Sequence, residues 1–125
     1  MILLIDFDGT LFEHKYPKLG LEIPHAFDYL RKFQKLGCKL ILWTMRSGKE
    51  LASALEACEI RGIKFWDVNK HPYQHLWTDT EKPDATLCID DRNLGCPLME
   101  SLDEGGRPMV DWKQAGEMVL QKLKL

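Results

Sequence analysis

Ile5-Asp6-Phe7-Asp8-Gly9-Thr10, set directly behind the apolar run Met1-Ile2-Leu3-Leu4, decides how the chain folds. An unbroken apolar run is the pattern of a parallel strand covered on both faces. Side chains alternate along a strand, so Asp6 and Asp8 would leave its end on the same side. Gly9 supplies backbone freedom for an abrupt turn. Two carboxylates this close repel each other, which favours a proton on one of them unless a cation intervenes. Such a pair suits metal-assisted acyl-phosphate chemistry, in which one Asp attacks and the other handles a proton. The same residues would also serve as a plain strand-ending turn.

Helix and strand signals alternate from there. Pro24 suits the first turn of a helix that carries Phe27, Leu30 and Phe33 on one face and stops at Gly37. Residues 38–43 read as a second strand ending at Thr44. Ser47-Gly48-Lys49-Glu50 has the form of a capping box, opening a helix with Leu51, Leu55 and Cys58 facing inward and Gly62 closing it. Ile63-Lys64-Phe65-Trp66 reads as a third strand, and residues 69–83, polar, aromatic and Pro-bearing, as a loop. Thr86-Leu87-Cys88-Ile89 reads as a fourth strand with Asp90-Asp91 at its end. A short strand at Pro108-Met109-Val110 precedes a last helix from near Asp111, which Gly116 weakens.

Strands alternating with helices predict parallel βαβ units with right-handed crossovers. The expected class is α/β: a three-layer α/β/α sandwich around a central parallel sheet, one domain over residues 1–125. Ligands collect beyond the carboxyl ends of such strands. Asp6, Asp8, Thr44, Asp90 and Asp91 all fall there, and scattered surface carboxylates would not share one rim.

Composition sets the outer bounds. A chain of 125 residues is large enough to bury a core without staples. The net charge of −2 gives no sign of a strongly basic nucleic-acid surface, although a local patch is compatible with it. No apolar stretch approaches the roughly 20 residues that span a bilayer. The N-terminal apolar run is too short for a signal peptide. Cys38, Cys58, Cys88 and Cys96 contain no C-x-x-C pair, which points to reduced thiols in the cytoplasm. His14, His25, His71 and His75 show no metal-ligand spacing.

Asp6-Phe7-Asp8-Gly9-Thr10, Thr44 behind an apolar strand, Lys82, and Asp90-Asp91 behind another strand resemble, in order, the four motifs of the haloacid dehalogenase superfamily. Leu42-Trp43-Thr44-Met45-Arg46 and Ile89-Asp90-Asp91-Arg92-Asn93 are closer still to a small bacterial branch of capless members, a similarity that spans roughly residues 1–95. The resemblance implies a phosphatase. Asp6 would attack phosphorus to give an aspartyl-phosphate. Asp8 would protonate the leaving oxygen and then activate water, help worth about 10²–10⁴-fold. Thr44 would donate its hydroxyl to a phosphoryl oxygen, backed by N–H groups of the next turn. Lys82 would neutralise charge, with Lys64 and Lys70 as rivals. The implied cofactor is Mg²⁺, which takes oxygen ligands and few carboxylates; Asp6, the main-chain carbonyl of Asp8, and Asp90 would hold it. Asp91 would orient Lys82 or a metal-bound water. Arg46 and Arg92 would bind the remote part of a substrate, or else be plain surface arginines.

Neither superfamily insertion point, at residues 71–77 or between Asp8 and Pro24, is long enough for a cap domain, so the site should be open. A lid loop or a second copy in a homo-oligomer would cover it, and an exposed Tyr73/Leu76/Trp77 cluster would suit that contact unless it packs on its own domain. An open rim admits a large phosphorylated partner; small phosphates suit a paired rim. Two other readings stand beside the enzyme. A receiver domain phosphorylated on Asp fits the length, but its chain order does not, because Thr44 precedes Asp67. A binding module that kept the fold and lost turnover is the other.

Overall fold

The computed structural model describes residues 1–124. Strand β1 (Ile2–Asp6) pairs in parallel with β2 (Lys39–Trp43), and β2 pairs in parallel with β3 (Asp67–Val68). On its other edge β1 takes β4 (Leu87–Ile89), also in parallel. The resulting order, β3-β2-β1-β4, puts the first strand in the interior. Helices α1 (Ala26–Lys35), α2 (Gly48–Ile60) and α3 (Trp112–Leu123) flank the sheet. This is the expected α/β class, a three-layer α/β/α sandwich with no cap domain inserted.

Alternation along the strands divides the core. Leu3, Ile5, Leu40 and Leu42 join one cluster with Phe27, Leu30 and Phe33 of α1 and Trp112 and Val119 of α3. Leu4 and Ile41 take the opposite face and are also buried. Burying each such side chain contributes about 1.5–3 kcal/mol. Helices α1 and α3 meet through aromatic rings, with Tyr29 stacked on Trp112 at 6.4 Å between centroids. Gly116, expected to weaken α3, lies directly under the Tyr29 ring, where a Cβ would collide. Its missing side chain is what allows that approach.

Three elements differ from expectation. The third strand sits at Asp67–Val68 rather than at residues 63–66. The backbone N–H groups of Ile63 and Lys64 are already committed, to the Cys58 carbonyl at the end of α2 and to Gln34 Oε1. Sheet pairing therefore starts only at Trp66, whose N–H reaches the Leu40 carbonyl at 2.7 Å. The capping box does not form: Ser47 stands at the N-cap in an extended conformation, but its side chain makes no cap bond. The segment at 108–110 pairs outside the main sheet, as β6 (Met109–Val110) antiparallel to β5 (Leu98–Met99).

That small sheet fastens the C-terminal segment to the first motif. Val110 N–H donates to the Gly9 carbonyl at 3.0 Å, and Trp112 Nε1 donates to the Thr10 carbonyl at 2.6 Å. Asp111 accepts from Gln114 N–H and caps α3. The 69–83 loop holds one short 3-10 turn (Gln74–Leu76) built around buried Gln74. Gln74 Nε2 donates to the Lys82 carbonyl, and Gln74 Oε1 accepts from Asp84 N–H. Among the described residues no helix is long and apolar enough to cross a membrane.

Candidate active site

Strand register assembles the site. Ile5 is paired with both Leu42 and Ile89, and Asp6 with Trp43. The residues that follow, Thr44 and Asp90, therefore emerge on the same rim as Asp6. Asp6, Asp90 and Asp91 each offer a carboxylate oxygen, and these oxygens lie within 4.8 Å of one another. Thr10, on the turn after β1, ties the group together. Its Oγ1 donates to Asp6 Oδ2 at 2.8 Å and accepts from Asp91 N–H at 3.3 Å.

Crowding shows in the acidities. Burial pushes the Asp6 carboxyl up from 3.8 to about 8; the Thr10 hydrogen bond pulls it back, and Asp90 and Asp91 push it further up. Burial likewise raises Asp90, against a hydrogen bond from Arg92 N–H that stabilises its charged form. Partly desolvated carboxylate oxygens this close together are ligands that could hold a hard divalent cation. The set differs from expectation in one member: the Asp91 carboxylate joins Asp6 and Asp90.

Asp91 is not set to orient Lys82. Its Oδ2 lies 2.8 Å from His14 Nε2. His14 also faces Arg107, at 3.4 Å between its Nδ1 and the guanidinium. Neither residue was legible in the motifs. A faint signal did exist in Gly9, whose φ of +85° and bare Cα make room for His14 and the Asp91 carboxylate together.

Asp8 and Arg46 form a pair. Arg46 Nε donates to Asp8 Oδ2 at 2.9 Å and Nη2 to Oδ1 at 2.8 Å. The remaining guanidinium donors reach the carbonyls of Pro17, Lys18 and Glu50. Arg46 is buried, so it is turned inward, not toward the remote end of a substrate.

The rim opens into a cleft of about 1310 Å³ that Asp6, Asp8, Thr44, Asp90, Arg92 and Lys70 help to line. Lys82 is exposed and outside the lining, although its neighbours Glu81 and Pro83 are part of it. Lys64 is outside it as well. Thr44 Oγ1 accepts from Arg46 N–H at 3.1 Å, which leaves the hydroxyl proton free to donate. The N–H of Thr44 is taken by Asn69 Oδ1 at 2.8 Å, and in the turn that follows, expected to back the hydroxyl, the Arg46 N–H is already spent on Thr44 Oγ1. Tyr73, Leu76 and Trp77 are exposed.

No protein-family model matches the chain, and no curated protein matches it either. A solved structure of a conserved protein coded by a locus from Bacteroides thetaiotaomicron is similar to it throughout, with 41% sequence identity and a TM-score of 0.78. The match covers 98% of this chain and 91% of that one. The chain belongs to the family of that conserved Bacteroides protein. Membership takes in the segment after Cys96, beyond the span of the motifs. That segment carries the Arg107 side chain, and its small sheet and Trp112 hold the Gly9–Thr10 turn in place.

Proposed function

We propose that the protein is a Mg²⁺-dependent phosphohydrolase of the haloacid dehalogenase superfamily, acting on a phosphomonoester through an aspartyl-phosphate. The observation that carries this reading is the convergence of Asp6, Asp90 and Asp91 at one sheet rim beside Asp8 and Thr44. One Asp6 carboxylate oxygen forms a bond to phosphorus while the bond to the leaving oxygen breaks. Asp8 supplies the proton that the leaving oxygen takes up. Asp8 then accepts a proton from water as that water attacks phosphorus, which releases inorganic phosphate and restores Asp6. Thr44 donates its hydroxyl to a phosphoryl oxygen, and Lys70, the lysine that lines the cleft, supplies positive charge. Asp6 and Asp90, with Asp91 beside them, would hold Mg²⁺. The ion supplies charge neutralisation for the phosphoryl oxygens and lets the crowded carboxylates ionise together.

The four cysteines are all free thiols, which supports a cytoplasmic setting. The cleft has no cap above it. Exposed Tyr73, Leu76 and Trp77 on the 69–83 loop offer the surface on which a second copy would cover it, and sedimentation tests that contact. The functional test is hydrolysis of p-nitrophenyl phosphate with Mg²⁺. Wild-type protein should turn over and Asp6→Asn should not; equal rates in the two would reject Asp6 as the nucleophile. A protein without turnover that captures a partner tightly would favour a binding module instead.

A further inference from the structure

Building on the phosphohydrolase reading, we infer that Arg46 is a positioning residue that acts through Asp8. The two residues sit on neighbouring turns, Asp8 after β1 and Arg46 after β2. Asp8 presents its carboxylate, with the side chain 20% exposed, while the Arg46 side chain behind it is 1% exposed. Both carboxylate oxygens are gripped, at 2.9 and 2.8 Å, by the Nε–Nη2 fork. A planar guanidinium matches a carboxylate in one relative orientation, which a lysine ammonium cannot reproduce.

Arg46 is itself fixed from every side. Its other donors hold the Pro17, Lys18 and Glu50 carbonyls, and its Cζ lies 4.9 Å from the Phe7 ring centroid and 5.2 Å from that of Tyr16. No donor remains for a substrate. Stability alone is a weak reason for such a group, since buried ion pairs are often no better than apolar residues of similar volume. What the fork does provide is a single aim for the carboxylate proposed to pass the proton. The residue therefore governs the proton-handling step and leaves substrate affinity largely untouched.

The test uses p-nitrophenyl phosphate, Mg²⁺ and four proteins: wild type, Arg46→Lys, Asp8→Asn and the double variant. Arg46→Lys should lower kcat by about 10–100-fold, a fraction of what general acid–base help contributes, with KM within about twofold. In the Asp8→Asn background the same change should cost nothing further, because residues acting as a unit are not additive. A wild-type kcat in Arg46→Lys, a loss confined to KM, or losses that multiply in the double variant would each overturn the inference. Should Arg46→Lys not fold, nitrogen–proton spectra of wild type and Asp8→Asn decide instead. The Arg46 Nε–H signal should be protected in the wild type and displaced in Asp8→Asn; an unmoved signal overturns the pairing. Absence of any turnover by the wild-type protein would overturn the phosphohydrolase reading itself, a result distinct from all of these.

Discussion

His14 Nε2 lies 2.8 Å from Asp91 Oδ2, joining two residues 77 positions apart at the edge of the carboxylate cluster. A histidine that bonds a carboxylate beside a cation fixes its direction, and removing such outer partners typically lowers metal affinity or activity about 10–100-fold. His14→Ala should therefore raise the Mg²⁺ concentration needed for half-maximal activity by roughly that factor. Titrating activity with Mg²⁺ checks this, and an unchanged midpoint would detach His14 from the site.

Gly9 has a φ of +85°, and a Cβ there would collide with both His14 and Asp91. Gly9→Ala combines backbone strain, of order 1–3 kcal/mol, with displacement of that pair. Lower thermal stability together with weakened Mg²⁺ dependence is expected. Calorimetric unfolding and the Mg²⁺ titration measure the two effects separately.

The raised acidity of Asp6 sets the sign of a pH effect. A carboxyl whose folded value is near 8 and whose ordinary value is 3.8 binds its proton more tightly in the folded state. Its contribution to stability is complete below the ordinary value and is lost as pH rises through the folded one. Metal-free protein should accordingly lose more stability between pH 4 and pH 8 than Asp6→Asn does. Saturating Mg²⁺ should offset the loss at the upper end. Melting curves of both proteins with and without a chelator read this out; a metal-free wild type that gains stability relative to Asp6→Asn over that interval would contradict it.

Lys70 lines the cleft and Lys82 does not. Lys70→Ala should reduce turnover of p-nitrophenyl phosphate by about 10²-fold, the usual loss for one group stabilising a transition-state charge. Lys82→Ala should leave it within a few-fold, because the structural bond made at this position uses the backbone carbonyl, which accepts from Gln74 Nε2 at 2.7 Å. The ratio of the two effects is the measurement.

Local signals in the chain were enough to place β1, β2, β4 and all three helices, because each carries an apolar run or face, and α1 and α2 also end at the stops Gly37 and Gly62. The convergence of Asp6 with Asp90 was legible too, since the strands of one parallel sheet end on a common rim. What the pattern missed depends on contacts distant in sequence. Ile63 and Lys64 read as a strand until their N–H groups are seen to be taken by Cys58 and Gln34. Arg46 reads as a surface charge until the Pro17 and Lys18 carbonyls close over it. His14 and Arg107 carry no local motif, and only the fold of the segments after Thr10 and Cys96 brings His14 to Asp91 and Arg107 to His14. Gly116 reads as a helix weakener until the Tyr29 ring fills the space above it.

The covalent step is the core of this account, and chemical trapping tests it most directly. Protein quenched with acid during turnover of a phosphomonoester and reduced with borohydride should carry homoserine at position 6, because only a carboxyl activated as an acyl phosphate is reduced to the alcohol. Recovery of an unmodified Asp6 peptide from protein that is demonstrably turning over, or reduction at a different carboxylate, would contradict it.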